Sequence, residues 1–254
     1  MWKKKFIASG VHLLVSLVFS LMASVLVFFV WYPYPFGEIS GGQDLFKIII
    51  AVDIVLGPLL TFVIFNNKKP RKELVFDISV VGIIQIVALA YGLWAVSIAR
   101  PIHVVFEYDR FRVIHALDIS EAILEKSGMK IPLFSFSGPT YISLRPMKGP
   151  EQFDLTFQAF SGVEISGIPD LWQPYEAAYE NVIKTMRPIN DLSVENLEKI
   201  KSLKDVKEII KYNSEIGFIP LTARKNIFWT AIVDGKTANV LAIVPVDSFE
   251  VDSK

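Results

Sequence analysis

Residues 46–65 read FKIIIAVDIVLGPLLTFVIF, an apolar run interrupted in its interior by Asp53 and by the pair Gly57-Pro58. At about 1.5 Å per residue a helix of this length crosses the roughly 30 Å of hydrocarbon in a bilayer. Two further runs of the same kind flank it, Phe6–Trp31 and Ile78–Ile98. Lys3, Lys4 and Lys5 precede the first run, and Lys68, Lys69, Arg71 and Lys72 separate the second from the third. The segment Tyr32–Asp44 holds no Lys or Arg, only Glu38 and Asp44. Short basic loops stay in the cytoplasm, so the expected topology has the amino terminus inside and Tyr32–Asp44 outside. The third span then exits outward and delivers everything after Arg100 to the far side. This divides the chain into a transmembrane region, 1–100, with helices at about 6–31, 46–65 and 78–98, and an external domain, 101–254.

The run Phe6–Trp31 is longer than the roughly 7–15 residues of a signal-peptide core, and no small-x-small pattern follows it, so it reads as a retained helix. Residues 101–254 carry 17 Lys/Arg against 21 Asp/Glu. That mild acidity excludes a nucleic-acid partner, which needs clustered cations for its phosphates. The chain has no cysteine. Disulfides, thiolate metal sites and cysteine nucleophiles are therefore excluded, and the external domain depends on packing.

In the first span His12, Ser16, Ser20 and Ser24 recur every four residues. Four residues advance 400° around a helix, so these side chains form one slowly drifting polar stripe. Serines allow close helix approach and hydrogen bonds across the contact. The stripe faces either the other two spans or a helix of a partner protein. Asp53 lies near mid-depth, where a carboxylate costs about 2.5–3.5 kcal/mol on insertion scales. Counting from the span ends sets it level with Ser16–Ser20, with Gln85 and Tyr91 at neighbouring depths. Ser16, Ser20, Asp53 and Gln85 are thus the candidate intramembrane partner contacts, and Asp53 is either functional or a clamp between helices. Pro58 removes a backbone donor and kinks its helix. Lys47 can snorkel to the interface, and Asp77 and Arg100 mark the ends of the third span. One buried acid without an internal repeat does not describe a transporter.

The external half reads as α+β with a mostly antiparallel sheet. Ile102–Glu107 and Arg112–Ala116 form a strand pair. With Asp109-Arg110 as its tip, Glu107 lies opposite Arg112 and Val104 opposite His115. Val104, Phe106, Val113 and His115 then share an apolar face, and His103 points to the other, so the two histidines cannot hold one metal. Ile119–Lys126 suggests a short helix; Thr140–Arg145 and Phe153–Phe160 suggest strands; Glu176–Met186 is helical. Asp191 or Ser193 caps a helix running to about Tyr212, with Leu197, Ile200, Leu203, Val206 and Ile210 on its apolar side. Asp234-Gly235 signals a hairpin between Ile227–Val233 and Ala238–Val244, with Trp229 opposite Val240. No Walker A, GxGxxG, HExxH or GxSxG pattern occurs, so neither an enzyme nor a cofactor is expected.

The stretches GVHLLVSL (10–17), VWYPYPF (30–36), AVDIVLGPLLTFVIFN (51–66), ALAYGLWAV (88–96) and ARPIHVVFEYDRFRVIHALDI (99–119) together resemble the type IV pilin accessory proteins of the TfpX/TfpZ family. PLTARKNIFWTAIVDGKTANVL (220–241) and VPVDSF (244–249) are similar to that family's end, more loosely. The resemblance implies a multi-pass protein of a bacterial inner membrane, with residues 101–254 in the periplasm, that supports the stability or assembly of a major pilin. It carries no catalytic residues over. Pilins resemble one another in bearing an acidic residue near the start of one long apolar helix, for which a polar level at Ser16, Ser20, Asp53 and Gln85 is a suitable partner. The rival class is an external sensor or binding module unrelated to pili, for which five residues and one short loop leave no room for a cytoplasmic signalling domain.

Overall fold

A computed structural model describes residues 2–66, 68–119, 137–160, 164–213, 215–223 and 228–249. The chain divides into two compact units, Met1–Arg100 and Pro101–Lys254. Among the described residues the first holds three helices long and apolar enough to cross a membrane. Helix α1 (Trp2–Val25) runs into a π-helical turn, Leu26–Trp31, closed by Tyr32 N donating to Val27 O at 2.8 Å. A short helix α2 (Phe36–Ile39) and Gly41, left-handed at φ +67°, lead into α3 (Gly42–Ile64). Helix α4 (Arg71–Ile98) starts after Pro70, whose fixed φ suits a helix entry. Both α1 and α4 pack on α3. At the end where α1 finishes, Ala23, Val27, Tyr32, Phe46 and Val96 form a buried cluster. The Tyr32 hydroxyl there donates to Val96 O at 2.8 Å.

The second unit is built on an eight-stranded sheet. Its strands are β1 (Pro101–Glu107), β2 (Arg110–His115), β3 (Thr140–Leu144), β4 (Trp172–Pro174), β5 (Arg187–Pro188), β6 (Ile216–Thr222), β7 (Phe228–Asp234) and β8 (Val240–Val244). The spatial order is β4-β3-β1-β2-β6-β7-β8, with β5 beside β6. The sheet is mixed and not mostly antiparallel: β1 runs parallel to β3, and β2 parallel to β6. Parallel neighbours are joined by long crossings and leave no local turn signal, whereas the hairpins do. By register, Val105, Ile114, Ile142, Phe218 and Ile232 share one face. Helix α5 (Gly149–Phe160) covers it at one end through Leu155, while α7 (Val194–Ser202) and α8 (Lys204–Tyr212) cover it at the other through Ile200 and Val206. Tyr175, ahead of α6 (Tyr179–Thr185), packs on Phe111 and Tyr141 of the opposite face.

Several local expectations are corrected. The first hairpin turns at Tyr108-Asp109, so Glu107 pairs with Arg110 and Val104 with Val113. That slip is an even one, which preserves the faces; Arg112 still reaches Glu107 at 3.2 Å, now as a diagonal neighbour. Phe153–Phe160 is helical. Its alternating Phe153, Leu155 and Phe157 imitate a strand, but Pro150 and Glu151 set a helix start, with the Glu151 carboxylate accepting from Lys148 N at 3.3 Å. The Asp234 turn is wider than two residues because its carboxylate takes the amides of Lys236 and Thr237 at 2.7 and 2.9 Å. Val233, not Trp229, therefore lies opposite Val240. Ser193 caps α7, and the expected long helix is split at Leu203, where the Ser202 hydroxyl donates to Lys199 O at 2.6 Å. The helix expected over Ile119–Lys126 lies outside the described residues beyond its first position. His103 and His115 point to opposite faces, both buried; His103 meets Thr140 at 2.7 Å and His115 meets Asp118 at 2.9 Å.

Candidate functional site: an intramembrane cleft

The polar stripe of α1 meets α3. The Ser9 hydroxyl donates to Pro58 O at 2.8 Å, and His12 contacts the Thr61 hydroxyl through Nδ1 and the Gln85 side chain of α4 through Nε2. Gln85 Nε2 donates to Asp53 O at 3.0 Å. These contacts have one consistent polarity. A backbone carbonyl only accepts, so the Gln85 amide nitrogen must face Asp53 and leave Oε1 for His12. His12 Nε2–H then donates to Gln85, and Nδ1 pairs with the Thr61 hydroxyl. One imidazole thereby ties all three helices. Gly57 leaves room for the Gln85 amide, with which a side chain there would collide.

Beside this clasp is a cavity of about 200 Å³ between α1 and α4. Val15 and Phe19 form one wall, Ile86 and Leu89 the other, and Asp53, Ser16, His12, Gln85 and Gly82 complete the lining. Asp53 is 7 % exposed. Its backbone carbonyl is engaged, yet its carboxyl group has no hydrogen-bond or ion-pair partner among the described residues. A buried carboxyl normally finds one. Gly82 leaves open space in the cleft, with no atom within 4 Å of where a Cβ would sit.

Of the four residues expected at one level, Ser16, Asp53 and Gln85 line this cavity and Ser20 does not; Ser20 is buried, with no partner for its hydroxyl among the described residues. Tyr91 is exposed. Sequence reasoning missed Ser9 and Thr61. Their signal was present, since Ser9 continues the stripe on one side of His12 and Thr61 lies two helical turns beyond Asp53.

The second unit has a groove of about 400 Å³ at the β1–β2 tip, but its charges compensate one another: Arg112 bridges Glu107 and Glu164 at 3.2 and 3.0 Å, and Arg110 holds Asp109 at 2.9 Å. Among the described residues no His, Asp or Glu group is arranged to hold a metal ion. Burial pushes the Tyr141 hydroxyl up to about 12, and that ring serves the aromatic packing around Tyr175.

Residues 1–41 match the family described as Fimbrial assembly protein FimB. The fimbrial assembly proteins of serogroups I and E1 from Dichelobacter nodosus are each 34 % identical to the chain over 245 residues, covering 95 % of both partners. The protein of serogroups C1 and C2 is 43 % identical over 111 residues, which are 44 % of this chain and 85 % of that relative. No solved structure matches the chain. The matches carry the fimbrial assembly name and not the TfpX/TfpZ name that the residues suggested. With two such relatives aligned across nearly its whole length, the chain belongs to the fimbrial assembly protein family.

Proposed function

We propose that this protein is a non-enzymatic accessory factor for type IV pili, of the TfpX/TfpZ kind, that binds major pilin in the bacterial inner membrane and supports its stability or assembly. Its amino terminus is cytoplasmic and residues 101–254 are periplasmic, which follows from seven basic residues on one side of the spans and none in the outer loop. The observation that carries the reading is the Asp53 carboxyl group, buried in an apolar cleft and without a partner among the described residues. Lipid chains offer it no hydrogen bond, so the group is costly unless a second polar group meets it. A pilin helix with one polar side chain among apolar ones is such a partner. The names of the relatives support the same direction.

Deleting the gene and measuring both the membrane pilin pool and surface pili tests the function. A reduced pool with few pili is expected. Normal piliation with a normal pool would refute the reading.

A further inference from the structure

The sequence holds two separate basic stretches, and the fold joins them. Trp2 and Phe6 of α1 pack on Phe62 near the end of α3, with ring centroids 5.9 and 5.0 Å apart. Lys5 lies over the same ring, 5.7 Å from its centroid, and donates to Val63 O at 3.4 Å. Helix α1 thus starts where α3 ends, and α4 begins at Arg71 after a tight turn in which Lys69 N donates to Asn66 O at 3.1 Å. One end of the helical unit therefore gathers Lys3, Lys4, Lys5, Lys68, Lys69, Arg71 and Lys72 against only Glu73 and Asp77. Among the described residues Lys69 alone of the seven has a carboxylate partner, Asp77 at 2.6 Å. Lys3, Lys4, Lys68, Arg71 and Lys72 are exposed. At the other end the cations are Lys47, which holds Asp44 at 3.0 Å, and Arg100, which lies over the Trp31 ring.

We propose that this basic end binds the phosphate headgroups of anionic phospholipids. Crowded cations without counter-charge repel one another, and an anionic lipid surface supplies that charge at the depth where the helices leave the hydrocarbon. The rings beside them fit the same surface: Trp2 and Phe6 are 63 % and 64 % exposed, and tryptophan favours the membrane interface. A dissolved phosphate would answer the charges but leave these rings in water, which favours lipid as the source. The Lys5 ammonium sits over the Phe62 ring beside Val63 O, in an exposed contact. Lipid binding here is independent of what occupies the α1–α4 cleft.

The test uses the full-length protein in phosphatidylethanolamine vesicles containing a minor fraction of phosphatidylglycerol. It compares the association of spin-labelled forms of the two lipids with the protein. Each cation near an anionic surface strengthens association roughly fivefold, so a several-fold preference for phosphatidylglycerol is expected at low salt. It should fall toward parity as salt screens the charges. The Lys68→Gln, Lys72→Gln double variant should lose roughly half or more of the preference, and Lys47→Gln should keep all of it. Thermal unfolding of both variants serves as the control for folding. Equal association of the two labels at low salt overturns the proposal, and this needs no variant. A preference unchanged in the double variant also overturns it. Competition by inorganic phosphate beyond that of chloride at equal ionic strength would show a free-phosphate site instead.

Discussion

Asp53 enters the bundle through its carbonyl, which accepts from Gln85, while its carboxyl group faces the cleft without a partner among the described residues. Clamping belongs to His12, which, like Gln85, bonds to both other helices. The two residues therefore separate under mutation. His12→Leu removes both of its hydrogen bonds and strands Thr61 and Gln85; with interhelical bonds in membranes at roughly 0.6–2 kcal/mol each, it should lower stability by about 1–3 kcal/mol. Reversible unfolding in mixed micelles measures this, and an unchanged midpoint would contradict the clasp. Asp53→Leu removes no bond seen among the described residues and relieves a mid-membrane cost of about 2.5–3.5 kcal/mol. Its abundance should equal or exceed that of the wild type, as an immunoblot of membranes would show. The alternative in which the carboxylate itself holds the helices together requires the opposite.

At the scale of elements, the cleft exists because α1 and α4 both lean on α3 and Gly82 leaves the space between them open. Gly82→Leu should fill that space while leaving the clasp intact, so unfolding stays near wild type and pilin co-purification drops. Equal recovery of pilin would show that the partner lies elsewhere. In the second unit, the start of α5 depends on Glu151, which Arg145 grips at 2.5 and 2.9 Å and Lys148 N contacts at 3.3 Å. The Arg145 guanidinium, and after it the Lys148 amide, hold this carboxyl down to about 2, from an ordinary value of 4.5. Its contribution is thus complete above about pH 4.5 and is lost as pH falls toward 2. Circular dichroism between those values should show a loss of helix that Glu151→Gln, lacking the charge, does not reproduce. The same element shows where sequence reading fails. Phe153, Leu155 and Phe157 alternate as in a strand, and only the Pro150-Glu151 start argues for a helix. The wide turn after Asp234 was equally hidden, because a carboxylate that takes two amides looks in sequence like an ordinary Asp-Gly turn.

For the whole molecule, the three long apolar helices were legible because length and hydropathy act over many residues. The mixed sheet was not, since β2 and β6 pair across a hundred intervening residues and nothing local records it. The candidate site was half legible: depth counting set Asp53 beside Ser16 and Gln85, but it could not show that His12 takes the bonds and leaves the carboxyl free. The expected topology is checked by fusing a phosphatase after residue 254, which should be active, and a cytoplasmic reporter there, which should be silent. The reverse pattern would place residues 101–254 inside the cell and remove them from any pilin head. The central claim, that the unpartnered Asp53 carboxyl receives a pilin helix, is tested most directly by pilin co-purification with Asp53→Leu protein at wild-type abundance. Pilin recovery should fall several-fold while the variant remains fully inserted; recovery equal to wild type would contradict the account.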